Sequence, residues 1–323
     1  MFERSTQIYK GHIIDTPTMD KFRIIENGYI IVTNGRVVDI VGKLPREYQK
    51  IPIYNYGNKL IIPSFNDLHI HAPQYPNRGL CLDDPLIVWL FKCTFPLEKK
   101  FVDLSYAKKV YTKVIRELWH AGSLRSLIYN TIFFDSTKLL FDMMIQSGLG
   151  GYVGKVNMDR EAPEYLLENT EQSLYETEQF ILETRNLSTI VHPIIAPRFV
   201  PSSSSELMEG LGKLAKKYEV LVMSHLSEEL SEIQLVKEMY PNFPTYGSIY
   251  NYFGLFGQEP TVMAHSIYSN KQERELIKKN GVFIAHCPSS NFNLGSGMMP
   301  LRKFLNEGIK VGLGCDVGGG GDS

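Results

Sequence analysis

From about residue 60 onward, short apolar and often β-branched runs alternate with stretches whose apolar residues recur at helical spacing. The first run, Leu60-Ile61-Ile62-Pro63, reads as a buried strand. It is followed by Ser126-Leu127-Ile128-Tyr129, Tyr152-Val153-Gly154-Lys155-Val156, Ile190-Val191-His192-Pro193-Ile194-Ile195 and Val220-Leu221-Val222-Met223. Pro260-Thr261-Val262-Met263-Ala264, Val282-Phe283-Ile284-Ala285 and Ile309-Lys310-Val311-Gly312-Leu313 complete a set of eight. Pro193 weakens its own strand, because proline cannot donate to a ladder. Between the runs, Ala107, Val110, Tyr111, Val114, Ile115 and Leu118 share one face of a helix over 104–121, with Gly122 placed to stop it. A short helix is expected within 86–95, and further helices over 136–147, 168–186, 204–218, 229–239, 270–280 and 300–307. Eight βα units argue for a (β/α)8 barrel over an open doubly wound sheet.

Residues 1–60 read differently. Tyr29-Ile30-Ile31-Val32 and Val37-Val38-Asp39-Ile40-Val41 flank Asn34-Gly35, a strong hairpin signal. This segment is expected to form a small, incomplete β-domain ahead of a barrel spanning 61–323. The eighth strand is followed by only ten residues, Gly318-Gly319-Gly320-Gly321 among them, so the barrel is expected to be truncated and to lack its last helix.

Composition narrows the class without naming the chemistry. The 323 residues carry a formal net charge of −1 and 43% hydrophobic residues, which points away from nucleic acid and membrane surfaces as partners. Cys81, Cys93, Cys287 and Cys315 show no C-x-x-C spacing and are too few for a disulfide framework. A reducing, cytoplasmic setting is the simpler reading.

The candidate chemistry sits at strand ends, where barrels of this kind place their active sites. His69 and His71, two apart in a strand, aim both imidazoles at one point. Arg198 and Phe199 follow the fourth strand, His225 and Glu228 the fifth, His265 the sixth, His286 the seventh and Asp316 the eighth. Any one of these histidines reads as a hydrogen-bonded core residue; five of the chain's eight at strand ends read as a site. His69, His71, His225 and Asp316 form a ligand set for one Zn²⁺, with Fe²⁺ as the alternative, leaving a position for water. Glu228 is placed to move a proton from that water to a leaving nitrogen. His265 and Asp316 are expected to assist as catalytic groups. His12 reads as surface, His120 as near a helix end and His192 as structural.

Asp67-Leu68-His69-Ile70-His71-Ala72-Pro73-Gln74-Tyr75 resembles the guanine deaminase branch of the amidohydrolase superfamily. So do Thr94-Phe95-Pro96, Gly154-Lys155-Val156-Asn157-Met158-Asp159, Pro197-Arg198-Phe199 and Ser224-His225-Leu226-Ser227-Glu228. Met263-Ala264-His265, Ala285-His286-Cys287-Pro288-Ser289-Ser290-Asn291 and Gly312-Leu313-Gly314-Cys315-Asp316-Val317-Gly318-Gly319 extend the likeness over nearly the whole chain, in order. The resemblance implies a TIM-like barrel of the amidohydrolase type and a homodimer. It further implies a mononuclear zinc enzyme that converts guanine to xanthine and ammonia. Gln74, Arg198, Phe199, His225 and Glu228 would contact the purine, with Gln74 and Arg198 on its polar edge and Phe199 on its face. Two departures are Pro63-Ser64 where the pattern has Pro-Gly, and Gly122-Ser123-Leu124-Arg125 where it has Gly-Thr-Thr. The alternatives are a deaminase or chlorohydrolase of another heterocycle, or an inactive truncated barrel acting as a scaffold.

Overall fold

A computed structural model describes residues 5–321, and the chain divides into one compact unit up to Ser64 and another from Phe65 onward.

The first unit is a four-stranded sheet of Thr6–Thr18, Lys21–Thr33, Arg36–Val41 and Ile53–Ile61, ordered third, second, first, fourth. The second and third strands pair antiparallel around Asn34 (φ 53°) and Gly35 (φ 74°), the left-handed conformations that an Asn-Gly hairpin turn requires. Ile8, Ile13 and Ile31 are buried in it. The fourth strand lies parallel to the first and places Leu60 opposite His12 and Ile61 opposite Ile13. The run Leu60-Ile61-Ile62-Pro63 is therefore not the first barrel strand; its first two residues close this small sheet. Pro63 lacks the N–H that a ladder needs, and the chain resumes as a strand only at Phe65. His12, expected at the surface, is half-buried here.

The second unit is α/β with parallel sheets, as a TIM-type fold requires. Phe65–His71, Ser123–Tyr129 and Gly150–Gly154 pair in parallel and continue into Val191–Pro193. Val222–Leu226, Thr261–His265, Phe283–His286 and Val311–Leu313 form a second parallel set. The third and fourth strands are each broken in two, and their outer halves, Val156–Asn157 and Ala196–Pro197, pair with each other. Pro193 accounts for the break in the fourth strand. Ile195 bridges the two sets, donating to Leu221 and accepting from Met223, each at 2.9 Å. On the other side, the Asp316 N–H donates to the His69 carbonyl at 2.8 Å, so the ends of the first and last strands meet.

The expected helices lie between these strands, within a few residues of their anticipated ends. Leu104–Ala121 starts at Asp103, whose carboxylate accepts from the Ser105 and Tyr106 N–H groups, and ends at Gly122 (φ 72°). It buries Ala107, Val110, Tyr111, Val114 and Leu118 against the sheet. Tyr246–Tyr252 and Pro288–Asn293 are additional short helices that periodicity did not single out. The segment 86–102 is helical throughout.

Cys81 and Cys93 form a disulfide, with Cα atoms 6.6 Å apart, against the expectation of free thiols. Spacing of 12 residues carries no such signal; the loop and following helix bring the two together. Cys287 and Cys315 are free. Among the described residues, no helix is long and apolar enough to cross a membrane.

Candidate active site

The C-terminal ends of the strands carry the predicted constellation into one place. Asp67 anchors it: its carboxylate accepts from the His69 N–H at 3.1 Å and the Cys315 N–H at 3.0 Å, tying the first strand to the segment after the eighth. The Asp316 carboxylate then lies 3.2 Å from His69 Nε2 and 3.6 Å from His71 Nε2. His71 Nε2 faces His225 Nε2 at 3.1 Å. His225 Nδ1 donates to the Arg198 carbonyl at 2.6 Å, which leaves its Nε2 as a bare lone pair.

Electrostatics agree with a cation between these groups. Burial pushes the His69, His71 and His225 imidazoles below their ordinary range, so all three are favoured neutral. Burial alone would raise Asp316, but the surrounding His69, His265 and His71 rings hold its carboxyl well below the usual range. Three neutral nitrogen donors and one carboxylate converge, and His69 Nε2 is buried with no hydrogen-bond partner among the described residues. This donor set fits one divalent metal such as zinc. A second grouping, His69 with His265 and Cys287, fits less well, because burial pushes the Cys287 thiol far up and away from the thiolate a metal needs.

Glu228 stands beside this centre. Its N–H donates to the Glu232 carboxylate at 3.0 Å, and Ser296 Oγ donates to its own carboxylate at 3.4 Å. Burial, and then the nearby Asp316 charge, push the Glu228 carboxyl well above its normal range, so a proton resides there readily. His265 Nε2 is 3.3 Å from Glu228 Oε2 and 3.9 Å from Asp316 Oδ2, while its Nδ1 donates to Asn291 Oδ1 at 2.9 Å. Ser227, His265, Ser266 and Asp316 all adopt positive φ, between 47° and 70°. Left-handed backbone in residues other than glycine costs on the order of 1–3 kcal/mol each, and here it recurs at the ends of the fifth, sixth and eighth strands around one site.

Next to these groups is a cavity lined by Gln74, Arg198, Phe199 and Glu228, with apolar walls from Leu86, Trp89, Leu90 and Leu294. Trp89 lines the cavity while its indole N–H donates to the Leu80 carbonyl at 3.3 Å. His286 is half-buried and stands outside the histidine cluster. His120 lies in the last turn of its helix, and His192 lies in the fourth strand beside Tyr152.

Three side chains at the site were not singled out from sequence. Tyr129, at the end of the second strand, stacks on His71 with ring centroids 4.6 Å apart and meets His69 edge-on at 5.0 Å. Asn291 holds His265. Glu98 is buried and reaches both Gln74 and Arg198. Tyr129 and Asn291 lay inside quoted strands or motifs; Glu98 lay two residues past Thr94-Phe95-Pro96.

Residues 60–323 match the amidohydrolase family domain, and they supply this entire set of groups. The chain belongs to the amidohydrolase family. Among solved structures, guanine deaminase from C. acetobutylicum with bound guanine in its active site is 52% identical with a TM-score of 0.98, covering 98% of this chain and 76% of that one. The guanine deaminase of Dictyostelium discoideum is 38% identical over 97% of this chain and 74% of its own length. That of Homo sapiens is 41% identical over 81% of this chain and 58% of its own. The chain thus spans between 58% and 74% of these two curated relatives. The amidohydrolase family is hydrolytic, and the histidine-rich centre of this chain is where a metal fits.

Proposed function

We propose that this amidohydrolase hydrolyses guanine to xanthine and ammonia, with one zinc held by His69, His71, His225 and Asp316. The observation that carries the reading is the cavity itself. Two polar groups, Gln74 and Arg198, face an otherwise apolar slot that opens directly onto the histidine–carboxylate centre. A flat base with polar edges suits such a slot. The C. acetobutylicum relative, 52% identical, holds guanine at its active site, which supports the same substrate here.

Zinc would supply Lewis acidity that brings the pKa of a water molecule down to about 7. The protein's own groups divide the remaining work. Glu228, favoured in its protonated form by burial, hands its proton to the departing exocyclic nitrogen and recovers one from the attacking water. His265, fixed by Asn291, presents its free Nε2 between Glu228 and Asp316 and orients the water. Arg198 donates to the base's edge, Gln74 accepts from it, and Phe199 covers its face. Water supplies its oxygen, one of its protons reaches the departing amine by way of Glu228 and the other ends on the ring nitrogen beside the new carbonyl, the carbon–nitrogen bond breaks, and ammonia leaves as xanthine forms. We further propose a homodimer, as the resemblance implies, and a cytoplasmic setting, as the few cysteines suggest.

The test is ammonia release from guanine by the zinc-loaded full-length protein. Turnover that disappears in Glu228→Gln supports the reading. A zinc-loaded protein that leaves guanine untouched overturns it.

A further inference from the structure

Glu98 is one of the most buried carboxylates in the chain, at 1% exposure, and the proton transfer described above makes no use of it. It sits in the helix Phe95–Glu98 behind the cavity wall rather than in the cavity. Arg198 Nη1 donates to both of its oxygens, at 3.0 and 2.8 Å. Gln74 Nε2 donates to one of them at 3.1 Å. Arg198 is also stacked 5.1 Å from the Phe95 ring, in the same helix.

An ionised carboxylate can only accept hydrogen bonds. Against Glu98, the Gln74 amide must therefore present its nitrogen, which forces its oxygen the other way. That oxygen, Gln74 Oε1, is buried and without a protein partner among the described residues. Gly318 leaves the space it occupies: at φ 119° a side chain would be strained, and a Cβ there would stand 2.4 Å from Gln74 Oε1. The same carboxylate takes one Arg198 nitrogen and balances a guanidinium that would otherwise be buried with uncompensated charge.

We infer that Glu98 is a positioning residue that sets the polarity of the substrate slot, turning Gln74 into an acceptor and holding Arg198 as a donor beside it. This rests on the guanine reading above and specifies what that slot selects. A base presenting a carbonyl oxygen next to a ring N–H meets both groups in the correct sense. A base with a ring nitrogen lone pair in place of the N–H, or no oxo group, leaves a buried polar group unpaired and is rejected.

Glu98→Gln keeps the shape of the side chain but can donate as well as accept, so the Gln74 amide is free to turn over. The experiment compares Glu98→Gln with wild type on guanine and on 2-aminopurine, which keeps the amine but lacks the oxo group and its neighbouring N–H. Because slot contacts bind ground and transition states alike, KM for guanine is expected to rise about tenfold or more with kcat changed only a few-fold. The preference for guanine over 2-aminopurine in kcat/KM should fall about tenfold. Zinc content within error of wild type shows that the metal centre is intact; Tm is expected to fall, because the neutral amide leaves the buried Arg198 charge uncompensated, and the assays are run well below the lowered Tm. Glu98→Ala, which strands Arg198, serves as the destabilised extreme and not as the deciding variant. Unchanged KM and unchanged base preference in Glu98→Gln, with wild type turning over guanine, overturn the inference alone. A wild type inactive on guanine overturns it together with the reading it rests on.

Discussion

Glu228 and Asp316 show how one buried site drives two carboxyls in opposite directions. Burial and then the nearby Asp316 charge raise Glu228, so its proton is retained; Asp316 faces the His69, His265 and His71 rings, whose attraction outweighs the same burial. Glu228→Gln is therefore expected to lower kcat for guanine by about 10²-fold or more while leaving Tm and zinc content alone, read by steady-state assay and metal analysis. Asp316→Asn should instead lose zinc, since it removes the only charged donor of the four. The pH dependence of metal retention follows from the imidazoles. Because burial depresses His69, His71 and His225, protons compete with the metal only below the ordinary imidazole pKa of about 6.5. Bound zinc, measured across a pH series after dialysis, should stay constant above that value and fall on the acid side. At this scale the histidines were legible because strand alternation and strand-end position mark them in one dimension. Glu98 and Tyr129 were not, since each matters only through residues far away in the chain.

Among the elements, the loop after the fourth strand illustrates how local rules hold the site. Ser204 caps the helix Ser205–Tyr218 by accepting from the Leu207 N–H at 3.0 Å, and it also bonds Asp159 across from the third strand. Ser204→Ala should cost about 1–2 kcal/mol in denaturant unfolding, the range for losing such a cap. The interior of the sheet is less forgiving. Gly151 in the third strand has φ 130°, and a Cβ there would lie 2.0 Å from the Ser126 carbonyl oxygen. That neighbour is backbone and cannot swing aside, so Gly151→Ala should destabilise by more than about 4 kcal/mol, visible as lost soluble expression or a collapsed unfolding midpoint. The end of the helix Leu104–Ala121 was readable because Gly122 is a local stop signal. The first barrel strand was misplaced because Leu60-Ile61 has the composition of any buried strand; which sheet takes it depends on pairing with His12 and Ile13, not on its own residues.

For the molecule as a whole, the site joins groups from the first, fifth and eighth strands, so a bound metal ties together parts of the barrel that are distant in sequence. A ligand that binds only the folded state stabilises it by RT ln(1 + [L]/Kd), about 4 kcal/mol at a thousandfold excess over Kd. Removal of zinc by a chelator is expected to lower Tm, with recovery on adding zinc back, and the shift should vanish in His71→Ala. The amino-acid order by itself determined the kinds of element, their succession, and the chemical types available at strand ends, because periodicity and capping act over a few residues. Only the closed barrel decided that Asp316 meets His69, that Glu98 turns Gln74 and grips Arg198, and that Cys81 reaches Cys93. Those contacts depend on strand register and ring closure, which sum small preferences over the entire chain and leave no mark at any single position.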